Sequence, residues 1–167
     1  SNLDLAGAEI ELVSAFNRER LLDGAISSVI SEYDFVLIDC PPSIGLLTVN
    51  ALTAASEVLV PIQCEYLALE GLGQLLSNVE RVKTHLNKEL HISTIALVMF
   101  DARTKLAGQV VEEIRSHFGE RVCQQTVPRS VRLSEAPSYG LPIIYYDSSS
   151  RGAIVYRSLA KEITGGA

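Results

Sequence analysis

Residues 33–43 read Tyr-Asp-Phe-Val-Leu-Ile-Asp-Cys-Pro-Pro-Ser. Four consecutive apolar residues, Phe35 to Ile38, placed between a turn and Asp39, have the pattern of a short strand buried on both faces. Cys40-Pro41-Pro42-Ser43 continues neither strand nor helix, because each proline lacks an N–H donor and fixes φ. The chain is therefore expected to turn there, with Ser43 capping a helix over 44–55. Downstream the same alternation repeats. Glu57–Ile62 (EVLVPI), 92–99 (ISTIALVM) and 122–127 (VCQQTV) read as strands. Between and after them, 67–87 reads as a long helix interrupted by Gly71 and Gly73, 104–118 as a helix, and 130–138 as a turn or short helix. Ile143–Tyr145 reads as short and extended, and 150–163 as a closing helix. Upstream, 4–15 carries Leu5, Ala8, Ile10, Leu12 and Val13 at helical spacing, and 18–31 continues as a second amphipathic helix. Strands alternating with helices imply βαβ units and a parallel sheet, an α/β fold.

The composition agrees. Of 167 residues, 47% are hydrophobic and only 6% aromatic, with no Trp, which suits an aliphatic parallel-sheet core of one domain spanning 1–167. The net charge of −6 argues against a general nucleic-acid coat protein. Cys40, Cys64 and Cys123 lie far apart without metal-ligand spacing, as expected of reduced thiols in a cytosolic protein. No apolar run reaches the roughly 20 residues of a membrane span. The chain lacks an initial Met and opens inside a helical pattern, so an artificial or proteolytic start at Ser1 is expected.

Parallel α/β sheets bind ligands beyond the carboxyl ends of their strands. The first expected strand delivers Asp39 there, where a rigidly placed carboxylate can hold Mg²⁺ through water or can simply cap the turn. Pro41 and Pro42 stiffen the next stretch of backbone, and such a turn can lie near a γ-phosphate. His85, His91 and His117 are scattered in polar contexts, and Glu65 and Glu70 read as solvated charges. Cys40 has no His near it in sequence to make it a nucleophile.

Several stretches in order are similar to one family. YDFVLIDCPPSIGLLTVNAL resembles the second Walker motif and switch II of the ParA/Soj partition ATPases. VLVPIQCEYLALEGL, MFDARTKL and VPRSVRLSEAPSYGLPIIYYDSSSRGAIVYRSLAKEI resemble its later strands and C-terminal signature, and LDLAGAEIEL its central junction. The resemblance covers nearly all of the chain. It implies a three-layer parallel-sheet P-loop NTPase fold, incomplete at its N-terminus, of which 1–167 would be the switch II and adenine-binding half. It implies ATP and Mg²⁺, with Asp39 on the metal through water and Pro41 and Pro42 near the γ-phosphate. Pro128, Arg129, Ser130 and Val131 would wrap the adenine, with Met99 and Phe100 as further walls. The glycine-rich loop with its Lys, which cradles phosphates in that family, does not occur in these 167 residues, and Gly71-Leu72-Gly73 has no Lys after it. This chain alone is therefore expected to bind ATP poorly and not to hydrolyse it.

Residues 101–132 hold six basic and four acidic side chains, a local +2 on a remainder of −8. A basic island on an acidic protein suits sequence-independent DNA binding through phosphates. The resemblance places the family's DNA-contacting arginines at Arg103 and Arg132, with Lys105 a further candidate. It also implies an ATP-dependent homodimer, cytoplasmic and nucleoid-associated, regulated by a ParB-type centromere-binding partner. Two rivals stand beside it. A MinD-like cell-division ATPase would end in a basic amphipathic helix for membranes, unlike Leu159–Ala167 here. A non-catalytic DNA-binding or interaction module would lack the phosphate loop naturally.

Overall fold

The computed structural model describes residues 3–41 and 45–165. Along the chain run α1 (Leu3–Leu12), α2 (Leu21–Ile26), α3 (Leu46–Ala54), β1 (Glu57–Gln63), α4 (Tyr66–His85), β2 (His91–Phe100), α5 (Lys105–Phe118), β3 (Val122–Pro128), α6 (Val131–Glu135), α7 (Ile143–Tyr146) and α8 (Arg151–Ile163). The strands form one parallel sheet in the order β1-β2-β3. The three strands expected downstream of residue 56 are thus present, each a short apolar run with helices between. The α/β expectation holds.

The expected strand at 35–39 does not form. Phe35, Val36 and Leu37 are exposed, Leu37 at 89%, and the backbone from Phe35 to Pro41 is without regular structure. A strand exists only through a ladder to a neighbour, and among the described residues the sheet offers this segment none. Ser43 and Pro42 lie outside the described residues. Four further expectations are corrected. Ile143–Tyr146 is a helical turn, not extended, because Pro142 stands at its N-cap and Tyr145 and Tyr146 both donate N–H bonds to the Pro142 carbonyl. The 18–31 helix is broken into α2 and a 3₁₀ turn at Ile30–Glu32, and α1 stops at Leu12. Gly71 and Gly73 do not interrupt α4, which runs unbroken over 20 residues. A glycine costs a helix about 1 kcal/mol relative to Ala, which α4 absorbs through its buried Leu72, Val79 and Val82.

The chain divides into two compact units, residues 1–58 with 75–91, and 59–74 with 92–167. In the first, α3 packs against α1 and α2, and both its ends are held by side chains from elsewhere. The Glu9 carboxylate accepts the Leu46 N–H at 2.9 Å, satisfying an orphan donor at the helix start. At the other end, the Asn87 amide donates to the carbonyls of Leu52, Thr53 and Ala55 at 3.1, 3.1 and 2.6 Å.

In the second unit, β2 carries the fully buried Ile95 and Leu97. α8 lies along β3, and Leu159 joins Ala96, Cys123 and Val127 in one apolar cluster. Gly152 lets the first turn of α8 approach α6, since a β-carbon there would meet the Leu133 side chain at 2.9 Å. Gln124 and Gln125 lie in an irregular part of β3, where four residue steps face two on β2. Arg115 of α5 fastens that segment by donating to the Gln124 carbonyl at 2.9 Å.

Candidate functional site

The carboxyl ends of the strands in the second unit are drawn together by backbone bonds. Phe100 pairs with Pro128, and the Arg129 N–H then donates to the Phe100 carbonyl at 2.9 Å. On the other side, the Cys64 N–H donates to the Val98 carbonyl at 3.1 Å. Between the pairings at Leu97 and Phe100, β2 spends three residue steps where β3 spends two, and Met99 takes up the excess with a left-handed φ of 57°. This is a β-bulge, a device that bends a strand and re-aims the residues beyond it. The strand ends enclose a cleft of about 400 Å³, lined among others by Glu65, Tyr66, Leu67, Met99, Asp101 and Arg129.

The residues expected at an adenine end fall around these ends. Pro128 is the last residue of β3 and half-buried, and Arg129 lines the cleft. Ser130 is the N-cap of α6, with no side-chain cap bond, and Val131 opens the helix at 72% exposure. Met99 lines the cleft, and Phe100 is the half-buried partner of Pro128.

Arg103 lies three residues beyond β2. Its backbone N–H, Nε and Nη2 all donate to the Asp101 carboxylate, at 3.0, 2.9 and 2.7 Å. The guanidinium hydrogen bond holds the Asp101 carboxyl well below the usual carboxylate range, helped by the Arg103 backbone N–H. The Arg103 side chain nevertheless remains 87% exposed. Thr104 caps α5 by accepting the Ala107 N–H, and this places Lys105 at the exposed first position of the helix.

Arg132 lies four residues beyond β3, in α6. Its Nη1 is 3.3 Å from Glu135 Oε2, its Nε is 3.6 Å from Asp147 Oδ2, and its guanidinium carbon is 5.9 Å from the centre of the Tyr146 ring. The Tyr146 hydroxyl donates to Glu135 at 3.2 Å, and the ring stacks on Tyr139. Arg132 and Arg103 therefore leave the carboxyl ends of adjacent parallel strands, and each has acids of its own.

Arg115, counted within the basic island, is instead half-buried and committed to the carbonyls of Cys123 and Gln124. The sequence pattern does not reveal Asp101, Glu135, Tyr146 and Asp147 as partners. The Arg132 to Glu135 spacing of three on a helix is a usable signal. Nothing local points from Arg132 to residues 14 and 15 positions away.

In the first unit, Asp39 lies exposed in the irregular segment, two residues before exposed Pro41; Pro42 lies outside the described residues. Partial burial and the neighbouring Asp39 charge push the Cys40 thiol up. All three cysteines are free. No helix among the described residues is long and apolar enough to cross a membrane.

The model of a family described as the AAA domain matches residues 1–92. The chain is 56% identical over 163 residues to the sporulation initiation inhibitor protein Soj of Bacillus subtilis (strain 168), covering 98% of this chain and 64% of that protein. It is 54% identical over 160 residues to the chromosome partitioning protein ParA of Myxococcus xanthus, covering 96% of this chain and 56% of that protein. The chain thus spans less than two thirds of these relatives. Among solved structures, the cobyrinic acid a,c-diamide synthase from Mycobacterium smegmatis with bound ATP analog and magnesium is similar at a TM-score of 0.78 and 34% identity, over all of this chain and 63% of that one. On the family match the chain belongs to the AAA-domain family, and over nearly its whole length it is similar to the Soj and ParA proteins.

Proposed function

We propose that the intact protein is an ATP-switched chromosome- or plasmid-partitioning ATPase. It works as a homodimer that binds DNA without sequence preference and is regulated by a ParB-type partner, in the cytoplasm at the nucleoid. The observation that carries this reading is the joined strand end in the second unit. The Arg129-to-Phe100 bond sets the Pro128–Val131 loop beside the Asp101–Lys105 loop, one expected to meet a purine and the other DNA. The matches to Soj and ParA extend over 98% and 96% of the chain.

The residues present fit the adenine end of a nucleotide. The cleft has the size of a small-molecule site, with Leu67, Met99 and Leu106 as apolar wall and the exposed Arg129 at its rim. Asp39 offers a solvent-accessible carboxylate suited to a hydrated Mg²⁺, and Pro41 and Pro42 follow it after Cys40. When bound, ATP supplies a γ-phosphate whose presence or loss gives the dimer its two states. Arg103, Arg132 and Lys105 contribute exposed positive charge toward DNA phosphates.

ATP turnover of the intact protein tests the proposal, with DNA and a ParB-type protein added separately and together and this 167-residue chain as control. The expectation is slow basal turnover, raised by both additions, and none in the 167-residue chain, which holds no glycine-rich Lys loop. No turnover of the intact protein under any condition would leave a DNA-binding or scaffold module as the better account.

A further inference from the structure

We infer that Asp101 and Glu135 are affinity-setting residues for DNA: they hold Arg103 and Arg132 as counter-charges and keep phosphate binding weak and exchangeable. The inference rests on the DNA reading above and goes beyond it. Asp101 takes Nε and Nη2, the two-donor edge with which an arginine grips a phosphate, and leaves Nη1. The pair, an exposed guanidinium on a largely covered carboxylate, is formally neutral. Around Arg132 the balance is tipped further, because one guanidinium faces the two carboxylates of Glu135 and Asp147. A phosphate arriving at either arginine must displace a carboxylate or share its donors with one. The two arginines differ in how firmly they are held. Asp101 makes three bonds of 3.0 Å or less, whereas the Glu135 and Asp147 contacts are 3.3 and 3.6 Å. Arg132 is thus the one released first, and Arg103 the one whose liberation changes affinity more.

Beyond the arginines they face, with Arg129 a further positive neighbour of Asp101, the acids each accept one other bond. Asp101 also accepts the Arg103 N–H, and Glu135 also accepts the Tyr146 hydroxyl, and an amide oxygen can accept either bond. Asp101→Asn and Glu135→Gln therefore remove the counter-charge and retain the acceptor. Binding of the intact protein to a mixed-sequence duplex is measured by fluorescence anisotropy across a salt series. Each variant is expected to bind about threefold to tenfold tighter at low salt, the size of an exposed ion pair, with a steeper salt dependence. The gain from Asp101→Asn is expected to vanish in an Arg103→Ala background, which separates a specific counter-charge from a change in net charge.

Unchanged or weaker binding in the two acid variants, with Arg103→Ala and Arg132→Ala still weakening it, overturns the inference and leaves the DNA reading standing. A gain that persists without Arg103 also overturns it. No DNA binding by the unmodified protein, or no response to either arginine substitution, overturns the DNA reading and this inference with it.

Discussion

The Glu162 carboxylate accepts the backbone N–H of Gln124 at 2.7 Å, and its second oxygen accepts that of Gln125 at 3.1 Å. In a regular strand consecutive N–H groups point to opposite sides. Both reach one carboxylate here because Gln124 and Gln125 lie in the irregular part of β3. β3 ends the sheet order among the described residues, and α8 occupies two of its backbone donors, groups that when unpaired invite pairing with another chain. Glu162→Ala should destabilise the protein by about 1–3 kcal/mol, the usual cost of leaving such groups unpaired, and should increase aggregation on mild heating. Urea unfolding and light scattering measure the two effects.

Asn87 serves three carbonyls at the end of α3 with a single amide. Asn87→Ala should lower stability by about 1–3 kcal/mol in the same unfolding assay. Asn87→Asp should be worse, because it sets a negative charge among acceptors and removes both donors.

The Asp101 carboxyl is held down by the Arg103 guanidinium, so its ionised form persists to lower pH than that of a free Asp. A depressed carboxyl contributes stability above its unfolded pKa and loses it as pH falls through the folded one. At about pH 3, where a free Asp is largely protonated, an NMR carboxyl titration should still find Asp101 ionised. Arg103→Ala should return the titration toward the ordinary range.

Arg115 and Lys105 lie on one helix and should behave oppositely. Lys105→Ala should reduce the slope of log affinity against log salt for DNA by up to about one and leave stability unchanged. Arg115→Ala should leave the salt slope unchanged and cost about 1–3 kcal/mol, because its bonds to Cys123 and Gln124 lie within the fold.

Features that depend on neighbouring residues are the ones legible in the sequence. The apolar runs at 57–62, 92–99 and 122–127 form β1, β2 and β3, because a strand covered by helices needs a continuous apolar stretch. Phe35–Ile38 has the same composition and no ladder, since pairing is a property of two segments and a local pattern describes only one. Asn87, Glu9 and Glu162 reach partners more than 30 residues away, and no local pattern announces that. The site divides in the same way. Pro128–Val131 and Arg103 can be placed at strand ends from sequence, whereas the carboxylates that hold Arg132 come partly from the far end of α7, a segment whose sequence pattern is that of extended chain.

The bulge at Met99 has a consequence for how this region can change. With three residue steps set against two, the chain leaves β2 one half-period out of step with its pleat. Deleting a residue at 98 or 99 would restore the regular alternation and turn Asp101 and Arg103 toward the opposite side of the sheet. Side-chain identity at these two positions is limited by the left-handed φ of Met99 and by the packing of Val98 on the core. The number of residues is limited more strictly, and insertions or deletions there should be purged where conservative replacements survive.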